Sequence, residues 1–101
     1  MEFDAYTLVL LVLRDDAPAH SEDELNALQV EHLAHLAELR AAGELVAAGP
    51  TDDARVRGVC VMRSGAEEAR ALLEENPSVR VGRLGLEVYP WLVPAGTVRF
   101  G

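Results

Sequence analysis

The chain has 101 residues, room for one domain and not for two. Its 17 acidic side chains outweigh 9 basic ones, all arginine, and the net charge of −8 repels phosphate backbones, so nucleic acid is excluded as an expected partner. Half the residues are hydrophobic, ordinary for a globular protein, and a single cysteine rules out an intrachain disulfide, which points to the cytoplasm.

Residues 6–13, Tyr-Thr-Leu-Val-Leu-Leu-Val-Leu, predict a first strand. The run does not alternate, so the strand is expected to be covered on both faces. It is far short of the roughly 20 apolar residues needed to span a bilayer, and the acidic start Met1-Glu2-Phe3-Asp4 does not fit a signal peptide. No membrane partner is expected.

Ser21-Glu22-Asp23-Glu24 reads as a capping box, with Ser21 as N-cap and Glu24 at the third helical position. A helix then runs to about residue 42 and stops at Gly43. At about 100° per residue, Leu25, Leu28, His32, Leu36 and Leu39 share one stripe. Residues 44–48 predict a short second strand, closed by Gly49-Pro50. Residues 58–63 predict a third.

Ser64-Gly65-Ala66-Glu67 reads as a second capping box. Its helix places Ala66, Ala69, Leu72 and Leu73 on one face, and Pro77 ends it at Asn76. After a short connection, residues 83–91 predict a fourth strand in which Leu84, Leu86 and Val88 form an apolar face. The core therefore spans about residues 6–92 of one domain. The tail, 93–101, leaves room for a short extra strand at 97–100.

The order β-α-β-β-α-β predicts an α+β, ferredoxin-like sandwich: a four-stranded antiparallel sheet with two helices on one face. The other face must meet water or a partner, and the apolar first strand argues for a homodimer.

His32 is the most informative residue for chemistry. It sits between Leu28 and Leu36 on the buried stripe, where a polar ring needs a hydrogen-bond partner. Two roles are open to it: a core histidine satisfied by a backbone carbonyl, or a general acid or base at the floor of a pocket. His35 follows three residues on, at the edge of the stripe, as a ligand contact or a boundary residue. His-x-x-His on a helix is one metal-binding arrangement, but no third ligand is evident beyond His20, Asp52 or Asp53 by elimination, and no metal is expected.

Asn76-Pro77 is helix punctuation, or a side chain aimed at the same pocket. Gly49-Pro50 is a turn, or a pocket wall. Cys60, inside Val59-Cys60-Val61-Met62, is expected to be buried and inert. Tyr89 and Trp91 fit a core or a dimer interface. An acidic pocket mouth would disfavour anionic ligands. No P-loop, G-x-G-x-x-G or C-x-x-C is present, and no cofactor is expected.

Three stretches carry a family resemblance: His32-Leu-Ala-His-Leu-Ala-Glu-Leu-Arg-Ala-Ala-Gly-Glu-Leu-Val-Ala-Ala-Gly-Pro50, Glu67-Glu-Ala-Arg-Ala-Leu-Leu-Glu-Glu-Asn-Pro-Ser-Val-Arg-Val-Gly82, and Glu87-Val-Tyr-Pro-Trp91. In order and spacing they resemble the YciI-like (YCII-related) family of the dimeric α+β barrel group. The resemblance implies a dimer with a small-molecule pocket between helices and sheet. It also implies a catalytic pair of a helical His and an Asp just before a Pro. The His falls on His32. The Asp position falls on Asn76, a departure from the pattern.

The site implied is His32 and Asn76 as the catalytic pair, with His35, Gly49, Pro50 and Pro77 as substrate contacts. The activity implied is cofactor-free proton transfer of a lyase, isomerase or dehydrochlorinase kind on a small cyclic or phenolic metabolite. The alternative is an inactive binding or accessory homodimer, because a neutral Asn lacks the charge that stabilises an imidazolium and can hold the wrong tautomer. Asp52 or Asp53 could then supply an acid at the pocket mouth.

Overall fold

A computed structural model describes residues 1–100. Strand β1 (Phe3–Leu13) leads through a polar loop into helix α1 (Glu22–Ala41). Strands β2 (Leu45–Pro50) and β3 (Val56–Met62) form a hairpin, followed by helices α2 (Ala66–Glu74) and α3 (Pro77–Arg80) and strand β4 (Leu84–Pro94). The sheet order is β2-β3-β1-β4, every neighbouring pair antiparallel. This α+β arrangement is consistent with the expected ferredoxin-like order. No helix among the described residues is long and apolar enough to cross a membrane.

The helices lie on one face of the sheet. Val9 and Leu11 from β1, Cys60 and Met62 from β3, and Leu84 from β4 meet Leu39 of α1 and Ala69 and Leu73 of α2 in a single core. Leu86 and Val88 pack against it, as their alternation in β4 predicts. Each fully buried aliphatic side chain contributes about 1.5–3 kcal/mol. Thr7 is also buried here; its hydroxyl donates to the Ser64 carbonyl at 2.7 Å and ties β1 to the start of α2.

Helix α1 begins and ends as its sequence dictates. Ser21 accepts from the Glu24 N–H at 3.1 Å, and the Glu24 carboxylate accepts from the Ser21 N–H at 2.9 Å. Gly43 takes φ +78°, a left-handed conformation that lets the Glu44 N–H reach back to the Leu39 carbonyl. On the stripe, Leu28 and Leu39 are buried and Leu25, His32 and Leu36 half-buried.

Three expectations change. The second capping box does not form: Gly65 is the N-cap of α2 and no side chain caps it. The Ser64 hydroxyl is buried without a partner. The segment after Pro77 is the helical turn α3 rather than a plain connection, because Pro is well suited to a first helical position. Strand β1 buries Thr7, Val9 and Leu11 beneath the helices, and Tyr6, Leu8, Leu10 and Val12 are half-buried on the open side, the face left for the expected partner. Residues 97–100 form no strand; instead the Phe100 ring meets Tyr6 edge-on at 5.0 Å.

Candidate functional site

Asn76 joins α2 to α3, and Pro77 behind it dictates its backbone. A residue before proline is driven out of the helical region, and Asn76 has φ −64° and ψ 132°. From there its side chain turns back to cap α3, with Oδ1 accepting the Ser78 N–H at 3.0 Å. Asn76 is 1% exposed, so every polar atom of its amide needs a partner.

Helix α1 supplies those partners. Nδ1 of His32 lies 2.8 Å from Asn76 Oδ1. The backbone N–H of Ser78 can only donate, so the amide atom it meets is the oxygen, and His32 must donate its Nδ1–H to it. The His32 proton is thus on Nδ1, and Nε2 keeps its lone pair. On the other side, Nδ2 of Asn76 lies 3.0 Å from Nδ1 of His35 and 3.5 Å from the His32 carbonyl oxygen. An amide N–H donates, so Nδ1 of His35 accepts and its proton is on Nε2. One amide therefore holds two imidazoles in opposite tautomers. Protonating His35 at Nδ1 would break its bond to Asn76. Burial lowers the His35 pKa below 6.5, the charge of His32 adds to that, and Glu38 and Glu75 oppose it.

His32 faces a cavity of about 480 Å³ between α1 and the sheet. Gln29 and Leu33 flank it on the helix, and Gly49 and Pro50 form the β2 wall. The floor is Leu11, Gly58 and Cys60. A Cβ at Gly58 would stand 3.3 Å from the Gly49 carbonyl oxygen and 3.6 Å from Leu11, so glycine there lets two strands approach closely and leaves the cavity open. Burial pushes the Cys60 thiol up to about 11, which keeps it protonated and unreactive.

Among the described residues two cations line this space and no carboxylate does: Arg57 of β3 and Arg83, just before β4. Arg57 reaches it through a break in the strand pairing. Leu11 pairs with Gly58 and Val12 with Val56, so Arg57 is an extra residue, a β-bulge. A bulge disturbs the alternation of side chains and re-aims the one it inserts.

The sequence-predicted residues divide accordingly. His32, Asn76 and His35 come together; His32, Gly49 and Pro50 line the cavity, with Asn76 behind His32. Gly49-Pro50 ends β2 and is not a separate turn. His35 and Pro77 are not on the cavity wall: His35 is spent on Asn76, and Pro77 opens α3. The partner of His32 is a side chain, not a backbone carbonyl, and the wrong tautomer feared for Asn76 is prevented by the Ser78 N–H.

Asp53 does not serve the pocket; its carboxylate accepts the Arg55 and Val56 N–H groups in the β2–β3 loop. His20 is near Glu24, 4.0 Å away. Among the described residues no group of three or more His, Cys, Asp or Glu is arranged to hold a metal. The acidic lining that would disfavour anionic ligands is not found among the described residues of the cavity wall. Arg57, Gly58 and Arg83 escaped sequence reading; only the glycine inside a strand pattern signalled a close approach there.

A family model described as the YCII-related domain matches residues 8–92. No curated protein matches the chain. Among solved structures, the chain is similar to 5-chloro-2-hydroxyhydroquinone dehydrochlorinase from Burkholderia phenoliruptrix AC1100, in complex with 2,5-dihydroxybenzoquinone. The TM-score is 0.57 at 22% identity, over 85% of this chain and 92% of that one.

Proposed function

Because the chain belongs to the YCII-related domain family, we propose that the cavity is the active site of a cofactor-free enzyme in which His32 moves a proton on a small cyclic or phenolic molecule. The observation that carries this reading is the hydrogen bond between His32 Nδ1 and Asn76 Oδ1. With Nδ1–H committed to Asn76, the basic Nε2 belongs to a ring on the cavity wall. Nε2 takes a proton from a carbon beside a carbonyl, or from a phenolic oxygen, and the electron pair left behind moves onto the carbonyl oxygen or into the ring. Returning the proton to another atom completes an isomerisation; expelling a leaving group with that electron pair completes an elimination.

Asn76 favours a second reading. A neutral amide orients His32 but does not offset the positive charge that the ring gains, as a carboxylate would. The protein would then bind the same ligand without converting it, as an accessory homodimer. Both readings fit a cytoplasmic homodimer joined through the open sheet face of Tyr6, Leu8, Leu10 and Tyr89.

The activity named for the similar dehydrochlorinase supplies the first molecules to try, chlorinated hydroxyhydroquinones and their hydroxyquinone products. Turnover by the native protein that is lost in His32→Ala, with circular dichroism unchanged, supports the enzyme. Binding without turnover, with turnover gained in Asn76→Asp, supports the accessory reading. Turnover undiminished in His32→Ala refutes a role for His32.

A further inference from the structure

We infer that the cavity takes an anionic ligand, held by Arg57 and Arg83 through a carboxylate or an equally delocalised oxyanion. The inference deepens the reading above and rests on its assignment of the cavity as the ligand site. It names the class of molecule rather than the reaction.

The chain carries 17 acidic side chains and 9 arginines, yet the cavity wall holds two arginines and no acid. Arg14, Arg55 and Arg80 each pair with a carboxylate, respectively Asp16, Glu87 and Glu75. Neither cavity arginine pairs with a carboxylate among the described residues. Arg57 is exposed and donates from Nη1 to the Asp53 carbonyl oxygen at 2.9 Å, which steadies the guanidinium; the Asp53 carboxylate feels its charge but is held by the Arg55 and Val56 N–H groups and forms no ion pair with it. Arg83 is half-buried, and its backbone is fixed on both sides: its N–H donates to the Ser78 carbonyl, and its carbonyl accepts from the Arg14 N–H.

Position reinforces charge. Gly58, next to Arg57, pairs with Leu11, and Leu84, next to Arg83, pairs with Leu13. Both arginines therefore stand at the same end of the sheet, on strands separated only by β1. Two strand spacings of about 4.8 Å and an offset of two to three residues at about 3.3 Å each put the two backbones roughly 12–13 Å apart, within the combined reach of two guanidinium side chains. The bulge at Arg57 gives that side chain its way onto the cavity. Guanidinium groups bind carboxylates and delocalised oxyanions with paired, charge-assisted hydrogen bonds. The apolar floor of Leu11 and Leu84 and the Gly58 gap fit a flat ring attached to that anion. Such an anion, beside His32, would also stabilise the imidazolium for which Asn76 supplies no charge.

Calorimetric titration at pH 7 tests this with benzoate, 4-hydroxybenzoate and 2,5-dihydroxybenzoate, each against its neutral carboxamide. Saturable binding of at least one carboxylate, with its amide weaker by roughly tenfold or more, is expected. Arg57→Gln and Arg83→Gln should each weaken that carboxylate by roughly tenfold to a hundredfold and leave the amide nearly unchanged. Thermal melts of both variants within a few degrees of native verify folding, and both sites are at the surface end of strands where substitution is tolerated. Equal binding of acids and amides, no saturable binding of any carboxylate, or carboxylate binding indifferent to both substitutions overturns the inference. Carboxylates that bind through the arginines but are never converted, by this protein or its His32 variants, would leave the inference standing and remove the proton-transfer reading. Turnover of neutral molecules alone would do the reverse.

Discussion

The backbone N–H of Ser78 stands 3.0 Å from Oδ1 of Asn76 and so decides which end of the amide His32 meets. A free amide beside an imidazole can rotate and present either oxygen or nitrogen. Here rotation would set a buried N–H donor of Ser78 against the amide nitrogen, at a cost of about 1–3 kcal/mol. A capping bond thereby does for Asn76 what negative charge does for an aspartate: it makes His32 carry its proton on Nδ1.

Asn76→Asp should change both imidazoles. A carboxylate accepts from His32 as the amide does and places a negative charge beside the ring. The carboxylate has no N–H to give the Nδ1 lone pair of His35, so His35 must move a proton to Nδ1 or take up a second one. Long-range ¹⁵N–¹H correlation spectra of the rings check this. The native protein is expected to show His32 as Nδ1–H and His35 as Nε2–H, and the variant to show protons on Nδ1 of both.

Stability should rise with pH through the titration of His35. Its pKa in the folded protein is lowered, chiefly by burial, so between that value and the ordinary 6.5 the unfolded chain holds more protons than the folded one. The contribution is fully present above 6.5 and is lost as pH falls through the lowered folded value. His35→Gln, whose side-chain oxygen still accepts from Asn76, should flatten that slope. Urea midpoints of both proteins at pH 5 and pH 7 measure it.

Much of the fold was legible because its signals are local. The Ser21–Glu24 box, Gly43, and the alternation of Leu84, Leu86 and Val88 depend on residues within a turn or a strand of one another, and each appears as read. The His32–Asn76 pair lies 44 residues apart in sequence; the residues alone left a shared pocket as one of two readings of Asn76, and the family resemblance paired them. Ser64 misled because α2 starts one residue later than the box requires: Gly65 takes the cap position, and Ser64 is held by its backbone carbonyl, which accepts from Thr7, not by its hydroxyl. The arginines of the cavity were illegible for a different reason. Regular alternation puts Arg57 on the opposite face from Gly58, and a bulge is a property of how two strands pair, not of either sequence.

Filling the cavity floor should separate binding from folding. Gly58→Ala brings a Cβ to 3.3 Å from the Gly49 oxygen, which a shift of a few tenths of an ångström relieves, and binding should survive. Gly58→Leu sends a side chain into the space over Leu11 and Cys60 and should weaken a bound aromatic carboxylate more than tenfold while costing about 1–3 kcal/mol. Calorimetry and denaturant titration of the two variants read the two effects separately.

Cys60 should be silent in the native protein. A thiol whose pKa is about 11 holds roughly a hundredth or less of the thiolate that an ordinary cysteine has at pH 8. Reaction with a chromogenic disulfide at that pH should be slower than for the unfolded chain by roughly a hundredfold or more. A native rate matching the unfolded one would place Cys60 at the surface.

The unpaired residue at 57 has a further consequence for how such a site changes over time. Removing one residue there, without altering any other, would let Val56 and Gly58 close into regular register and leave the strand with no side chain to redirect. The charge inside the cavity would fall by one, as in Arg57→Gln, but the strand pairing would become regular in the same step. Chains of this shape can therefore exchange a charged interior for a neutral one by gaining or losing a residue in the hairpin, and lengths between Pro50 and Gly58 carry information about ligand charge that side-chain identities alone do not.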